Sequence, residues 1–433
     1  MARTLPADAL TLDPDVVTAV ASAKASVAAR RVSDLVDAAG HQYVDLVMEG
    51  GGVLGVALAG YTYALESAGI RFLGLGGTSA GSINALVIAA LGPPHVAKGR
   101  RVAEIVANVP MASFIDGDGD ARDFTDAIVD GAGKFKLALK GAQVVDNFTE
   151  DLGLHPGRKF RAWLSEQLAV NGIATLADLQ AMQAVPPPGG YRVLPSEERM
   201  HPSQHRTAEQ DASTESIRGR LAVIAADITT GTKVEFPRMA SLYWADPAAL
   251  NPADFVRASM SVPAFFHPVR VRGIPQGPAA LQRWSELTSY KGARLPKECV
   301  FVDGGIISNF PIAVFHNHSK VPRSPTFGVK LGVPAAEPSV IDSPTELLAG
   351  VFNAARGALD QDFLAGNPDY RHLISSIDTK KHNWLNFNLS HDAKIDLFRE
   401  GAKAAAAFLE EFDWASYKRL RLLKAQLRNE DGS

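Results

Sequence analysis

The sequence predicts an α/β fold built on a mainly parallel central sheet. Two observations carry the prediction. Apolar runs at 43–48 and 71–76 alternate with helical stretches at 56–68 and from Ser79 onward, giving strand, helix, strand, helix in quick succession. Both strand-to-helix junctions are glycine-rich, Glu49-Gly50-Gly51-Gly52-Val53-Leu54-Gly55 at the first and Gly77-Thr78-Ser79-Ala80-Gly81 at the second.

Ahead of these elements, Val16, Val20, Val27 and Leu35 recur at helical spacing, so 15–39 reads as a leading helix. Residues 111–179 read as mostly helical and 186–216 as a mobile loop, because that stretch is rich in proline and polar residues and poor in apolar surface. The runs 221–227 and 233–236 predict a strand pair returning to the sheet, and 300–302 one more buried strand. From Ser343 onward the chain reads as mainly helical.

Composition narrows the function classes. With 433 residues, 46% of them hydrophobic and 21% charged, the chain has the apolar material for a large core, which excludes global disorder. The net charge of −3 gives no bulk attraction to polyanions, so no nucleic-acid partner is expected. Cys299 is the single cysteine, which excludes a cystine framework and a multi-cysteine zinc site. The first residues carry Asp8, Asp13 and Asp15 without the apolar stretch of a secretory signal. No apolar run approaches the ~20 residues that cross a bilayer. The expectation is a cytoplasmic protein with room for peripheral membrane contact.

The glycine loop at 50–55 fits a dinucleotide-binding turn, but that reading needs an acid about 20 residues on, and none occurs between Glu66 and Glu104. A non-enzymatic nucleotide-binding module is therefore the weaker alternative. Gly77 to Gly81 is G-x-S-x-G between a strand and a helix, the context of a nucleophile elbow with Ser79 as the exposed hydroxyl. Backbone N–H groups of Gly50, Gly51 and Gly52 would then hold an oxyanion beside Ser79. A serine needs a base, and Asp303, followed by Gly304 and Gly305, stands at the end of a third apolar strand. His316, His318, His372, His382 and His391 follow, so a triad order is formally open; each reads better as a surface or helix histidine.

Taken together, these residues resemble the patatin-like phospholipases, whose pattern is a glycine-rich oxyanion loop, a G-x-S-x-G elbow and a D-G-G motif. The resemblance rests on Gly50 to Gly52 with Gly55, on Gly77 to Gly81 and on Asp303 to Gly305, and extends to Ala225, Asp227, Thr230, Gly231 and 258–263. It implies a three-layer α/β fold and a lipid acyl hydrolase of phospholipase A type, acting through a Ser79–Asp303 dyad without histidine, metal or cofactor. Lysophospholipase, thioesterase and acyltransferase are alternatives using the same dyad. Departures from the family pattern are Leu54, where Arg or Lys is usual, and Glu49, where Asp is frequent. The implied organisation is an N-terminal helical extension (1–42), a catalytic domain (43–335) containing a helical insertion (111–180) and the mobile loop (186–216), and a C-terminal helical part (336–433) packed on the same domain.

Two features invite further readings. Asp116-Gly117-Asp118-Gly119-Asp120 begins like a calcium loop, but Ala121 and Ala127 stand where such a loop needs Gly and Glu, so the aspartates read as helix-capping residues. The stretch 417–428 sets leucines among basic residues; it reads as a terminal helix covering the core, with contact to anionic lipid as the second option.

Overall fold

The computed structural model describes residues 4–114, 152–315, 320–332, 360–379 and 386–430, together with 317, 341 and 382–384. A ten-stranded sheet organises them, with β1 (Leu35–Asp37) pairing with both β2 (Gln42–Met48) and β5 (Tyr191–Val193). The main path runs β12 (Ile374–Ile377), β11 (Thr326–Leu331), β2, β3 (Ile70–Thr78), β6 (Arg220–Asp227), β10 (Glu298–Asp303), β9 (Val269–Arg272). From β12 to β6 all neighbours are parallel; β10 and β9 finish the edge antiparallel, and β7 (Thr232–Phe236) pairs antiparallel with β6. The sheet is mixed α/β and mostly parallel, as the sequence predicts. All nine residues of β3 are buried, the pattern of a strand covered on both faces.

From β2 through α3 (Gly55–Ser67) to β3, and from β3 through α4 (Ala80–Ala90) to β6, the chain steps across the sheet in one direction. Right-handed crossovers then put both helices on the same face. A long helix near the C-terminus, His391–Glu411, crosses α3 with backbones in contact: a Cβ on Gly60 would collide with Phe398 O, and one on Gly401 with Ala57 O. The opposite face carries the segment after β10. Phe310 and Ile312 press on Gly328 of β11, while Val314 and Phe315 press on Gly76 of β3.

Four expectations are revised. The N-terminal part is not all helical: after α1 (Ala7–Thr11), α2 (Pro14–Ala29) stops where Arg30 turns extended, and Leu35–Asp37 joins the sheet as β1, so Leu35 belongs to a strand. The C-terminal part likewise contributes β12 to the sheet beside its helices. Of the insertion at 111–180, only 111–114 and 152–180 are described; they include β4 (Gly153–His155), which pairs with β8 (Ala264–Phe266), besides the helices Arg158–Ala169 and Leu176–Gln183. The 186–216 segment is packed in place of being a mobile loop. Its β5 (Tyr191–Val193) pairs with β1, Thr207 and Gln210 form a capping box, and the fully buried Arg199 makes ion pairs with Asp34 and Asp211. Polar composition concealed a buried charged centre, which holds the segment without a large apolar surface.

The terminal helix Trp414–Glu430 covers the core, but with its basic side inward. Lys418 reaches Asp34 at 2.9 Å and Arg421 reaches Asp369 at 3.2 Å, while Leu423 and Leu427 point outward. The Asp116 to Asp120 stretch, His316 and His318 lie outside the described residues. No helix among the described residues is long and apolar enough to cross a membrane.

Candidate active site

Ser79 stands where β3 turns into α4, at φ 50 and ψ −120. A non-glycine residue in that region is strained by about 1–3 kcal/mol, which persists only when the surroundings over-determine it. Here they do. Its N–H donates to Ser259 Oγ at 2.9 Å, and its carbonyl accepts from Ser82 Oγ at 2.6 Å and from the N–H groups of Ser82 and Ile83. The flanking glycines make the turn sterically feasible: a Cβ on Gly77 would strike the Gly81 backbone, and one on Gly81 would strike the Met48 carbonyl. Ser79 Oγ donates to Met260 Sδ at 3.3 Å. A thioether is a weak acceptor, so the hydroxyl gives up little on turning elsewhere.

The glycine loop follows β2, the parallel neighbour of β3, and so lies at the same carboxyl edge of the sheet. Gly50 is locked in place: its N–H donates to Asn309 O at 3.1 Å, and its carbonyl accepts from Asn309 Nδ2 at 3.1 Å. That commitment removes the Gly50 amide from the expected donor set. Among the described residues the amides of Gly51 and Gly52 meet no acceptor, so the expected donor set is reduced to these two. Gly52 lies at φ 55, and a Cβ there would enter the Trp384 carbonyl. Beyond it a 3₁₀ turn, Gly52–Leu54, leads to Gly55, which opens α3 within van der Waals reach of Ala80. Glu49 Oε2 accepts from Leu331 N at 2.6 Å, fastening the loop to β11.

Asp303 ends β10, on the far side of β6. Thr78 pairs with Ile224 and Asp303 with Ala225, so Ser79 and Asp303 flank the same level of β6. Three consecutive residues bridge them: Ser259 binds the Ser79 N–H, Met260 binds its hydroxyl, and Ser261 O accepts the Asp303 N–H at 2.8 Å. Asp303 Oδ1 accepts from Gly305 N at 2.7 Å, which aims the carboxylate, and Gly304 begins the turn close to Ile224. Both Ser79 and Asp303 are buried, at 4% and 3% exposure.

Residues that sequence reasoning missed hold this edge together. Asp360 accepts from Ser308 Oγ at 2.6 Å and from Phe310 N at 2.7 Å, and Thr78 Oγ1 donates to Ser308 O at 2.9 Å, so the turn after Asp303 is tied to the end of the nucleophile strand. Burial pushes the Asp360 carboxyl above the usual aspartate range and lowers the Lys233 ammonium, whose Nζ donates to Ser308 Oγ at 3.3 Å. Asn309, six residues past Asp303, carries a signal the sequence offered: an Asn in a turn readily bonds backbone groups nearby. Asp360 offers none, since nothing local links it to the motif. Of the downstream histidines, His382 pairs with Asp396 at 3.0 Å, and none of the described ones contacts Ser79.

Two cavities flank the glycine loop. A polar cleft of about 940 Å³ is walled by Glu49, Gly51, Lys330, Asp360 and Trp384. Leu54 also lines this cleft. On the other side an apolar groove of about 440 Å³ begins at Gly52 and Ala80 and continues past Ile83, Val106 and Phe387. Ser79 and Asp303 lie in neither wall; the groove includes Gly52 and Ala80, the residue after the serine, and the cleft includes Gly50 and Gly51.

Residues 46–316 match the patatin-like phospholipase family. YqhO of Bacillus subtilis (strain 168), an uncharacterized protein, is 28% identical over 374 residues, covering 86% of this chain and all of YqhO. Among solved structures, VipD from Legionella pneumophila is similar over 88% of this chain and 70% of its own, at 12% identity and a TM-score of 0.39. The type III effector ExoU is similar over 88% of this chain and 53% of its own, at 13% identity and a TM-score of 0.34. The family match takes in the glycine loop, the elbow and the Asp303 turn on one sheet edge, and the chain belongs to the patatin-like phospholipase family of lipid hydrolases.

Proposed function

We propose that the protein hydrolyses carboxylic esters of lipids through a Ser79–Asp303 dyad, by phospholipase A type chemistry. Ser79 Oγ attacks the ester carbonyl while Asp303 accepts its proton. The amides of Gly51 and Gly52 stabilise the oxyanion, and the α4 N-terminus behind the serine favours the same charge. Collapse of the tetrahedral intermediate releases the alcohol, protonated by Asp303, and leaves an acyl-serine. Water, deprotonated by Asp303, then frees the carboxylic acid.

The observation that carries this reading is the 259–261 bridge. One short segment grips Ser79 at its amide and its hydroxyl, and Asp303 at its backbone. A turn this strained, braced by the same segment that holds the backbone of the acid, fits a preorganised nucleophile better than a structural turn. The apolar groove beside Gly52 supports a lipid over a small soluble ester.

The testing experiment compares Asp303→Asn with single His→Gln changes at His372, His382 and His391, using a phospholipid and a short-chain ester. Asp303→Asn is expected to lose turnover of both esters by about 10³-fold or more, and the histidine variants to keep theirs. A histidine variant that falls as far as Asp303→Asn would replace the dyad with a triad.

A further inference from the structure

The 259–261 bridge leaves the C-terminal end of the helix Ala253–Ser259, and the side chain that fastens it is Arg257. Arg257 is buried, at 7% exposure. Its Nη1 donates to Ser261 Oγ at 2.7 Å, and its Nη2 donates to His267 O at 2.8 Å and to Pro156 O at 2.9 Å. Ser261 Oγ donates in turn to Arg257 O at 2.9 Å, so side chain and backbone of one turn close on each other. The guanidinium also lies over the Phe266 ring, 5.2 Å from its centroid. Gly157, at φ 69, leaves the space it occupies: a Cβ there would strike Arg257 Nε.

The two carbonyls that Arg257 holds follow β4 and β8, which are joined independently of it by strand pairing and by the bond from His267 N to His155 O at 2.8 Å. The guanidinium therefore anchors the bridge to a separate framework. At the other end, Ser261 meets Arg257 through its hydroxyl and Asp303 through its carbonyl. A shift at the Ser261 hydroxyl thus moves the acceptor of the Asp303 N–H, and with it the neighbouring Met260, whose Sδ takes the Ser79 hydroxyl. Misplacing reacting groups by about 1 Å costs about 10²-fold in rate. A charged, planar donor fork fixes direction as well as distance, which a flexible point charge does not.

We infer that Arg257 is a positioning residue of the proposed Ser79–Asp303 dyad: it clamps Ser261 to the β4–β8 pair and so sets where the Asp303 backbone and the Ser79 hydroxyl stand relative to each other. In this role Arg257 touches neither substrate nor the reacting atoms and acts through Ser261. The inference rests on the proposed ester hydrolysis, which supplies its readout.

Steady-state turnover of a short-chain ester by the full chain tests it, with active sites counted by titration with an alkyl fluorophosphonate and folding followed by urea denaturation. Ser261→Ala removes the clamped hydroxyl and leaves the guanidinium its two carbonyls. It should lower kcat per site about tenfold, with KM within about twofold of wild type. Arg257→Met should lower kcat per site about 10²-fold. Arg257→Lys, which keeps the charge without the fork, should stand between Arg257→Met and wild type. Combining Arg257→Met with Ser261→Ala should be no slower than Arg257→Met alone, because both changes break the same clamp. If Arg257→Met fails to fold, Ser261→Ala and Arg257→Lys decide. A purely structural role would reduce the number of sites that take the phosphonate and leave kcat per site at the wild-type value. That result in Ser261→Ala and Arg257→Lys, or single effects that multiply in the combined variant, would overturn the Arg257 role while leaving the hydrolase reading intact. Absence of both turnover and labelling in wild type would instead refute the hydrolase reading, and with it the dyad that Arg257 positions.

Discussion

Two buried polar regions of this molecule are built on opposite plans. Around Asp34, charges are paired on every side. Lys418 lies 2.9 Å from its carboxylate and Arg199 closer still, while Arg199 also meets Asp211 at 2.9 Å and Arg206 meets Asp211 at 3.1 Å. This cluster joins three stretches remote in sequence: the segment before β1, the 191–211 segment and the terminal helix. At the carboxyl edge near Ser79 the plan is reversed. The serine is strained, its hydroxyl rests on a thioether, and two glycine amides meet no acceptor among the described residues. The first region spends its charges on one another and ties remote segments together; the second keeps two backbone donors uncommitted among the described residues, as the proposed oxyanion role requires.

If that division holds, variants in the two regions should separate cleanly in what they damage. The largest effect is expected for Ser79→Ala, a loss of ester turnover of about 10⁴-fold or more, with the denaturant midpoint unchanged or raised because no native bond of strength is lost. Turnover assays and urea unfolding on the same preparation check both halves. Next comes Arg199→Met, which removes the buried guanidinium shared by Asp34 and Asp211 and leaves them to Lys418 and Arg206. It should cost about 3–5 kcal/mol of stability, read from chemical denaturation, while the folded fraction keeps wild-type KM. A Gly52→Ala change is expected to lower kcat by about 10²–10³-fold, because the Cβ would displace the loop from the Trp384 carbonyl; the positive φ and the clash should lower the thermal midpoint as well. An enzyme with unaltered kcat would make the loop purely structural.

The smallest effect sharpens the boundary between the regions. Burial outweighs the hydrogen bonds from Ser308 and Phe310 and raises the Asp360 carboxyl. The native state therefore holds this proton more tightly than the unfolded chain does. Its stabilising contribution is complete below the ordinary aspartate value and is lost as pH rises through the native one. Denaturation midpoints of wild type measured against Asp360→Asn across the acid range should show wild type losing ground as pH rises; a gain would mean that the hydrogen bonds dominate.

How far the sequence disclosed these regions follows from how local their signals are. Strands β2, β3, β6 and β10, the glycine loop, Ser79 and the Asp303 turn each lie in a continuous run of a few residues, where apolar pattern and glycine spacing suffice. β11 and β12 escaped because Thr326–Leu331 and Ile374–Ile377 are short and carry Gly328, Lys330, Ser375 and Ser376, which blur the apolar pattern. Arg199 and Asp34 escaped because their meaning lies in a pairing across 165 residues. The same holds for Asn309 and Gly50, 259 apart. The terminal helix shows the limit of pattern alone: its leucines suggested the packed face, yet Tyr417, Lys418 and Arg421 pack, since buried partners at Asp34 and Asp369 await them.

Covalent labelling probes the Ser79 nucleophile itself. Wild-type protein, Ser79→Ala and Asp303→Asn would each be treated with an alkyl fluorophosphonate, followed by intact-mass and peptide mass spectrometry. One adduct per wild-type chain is expected, mapped to Ser79, with none on Ser79→Ala and labelling of Asp303→Asn slowed by about 10²-fold or more. Labelling of folded Ser79→Ala at the wild-type rate, or an adduct mapped to another serine, would contradict the assignment of Ser79.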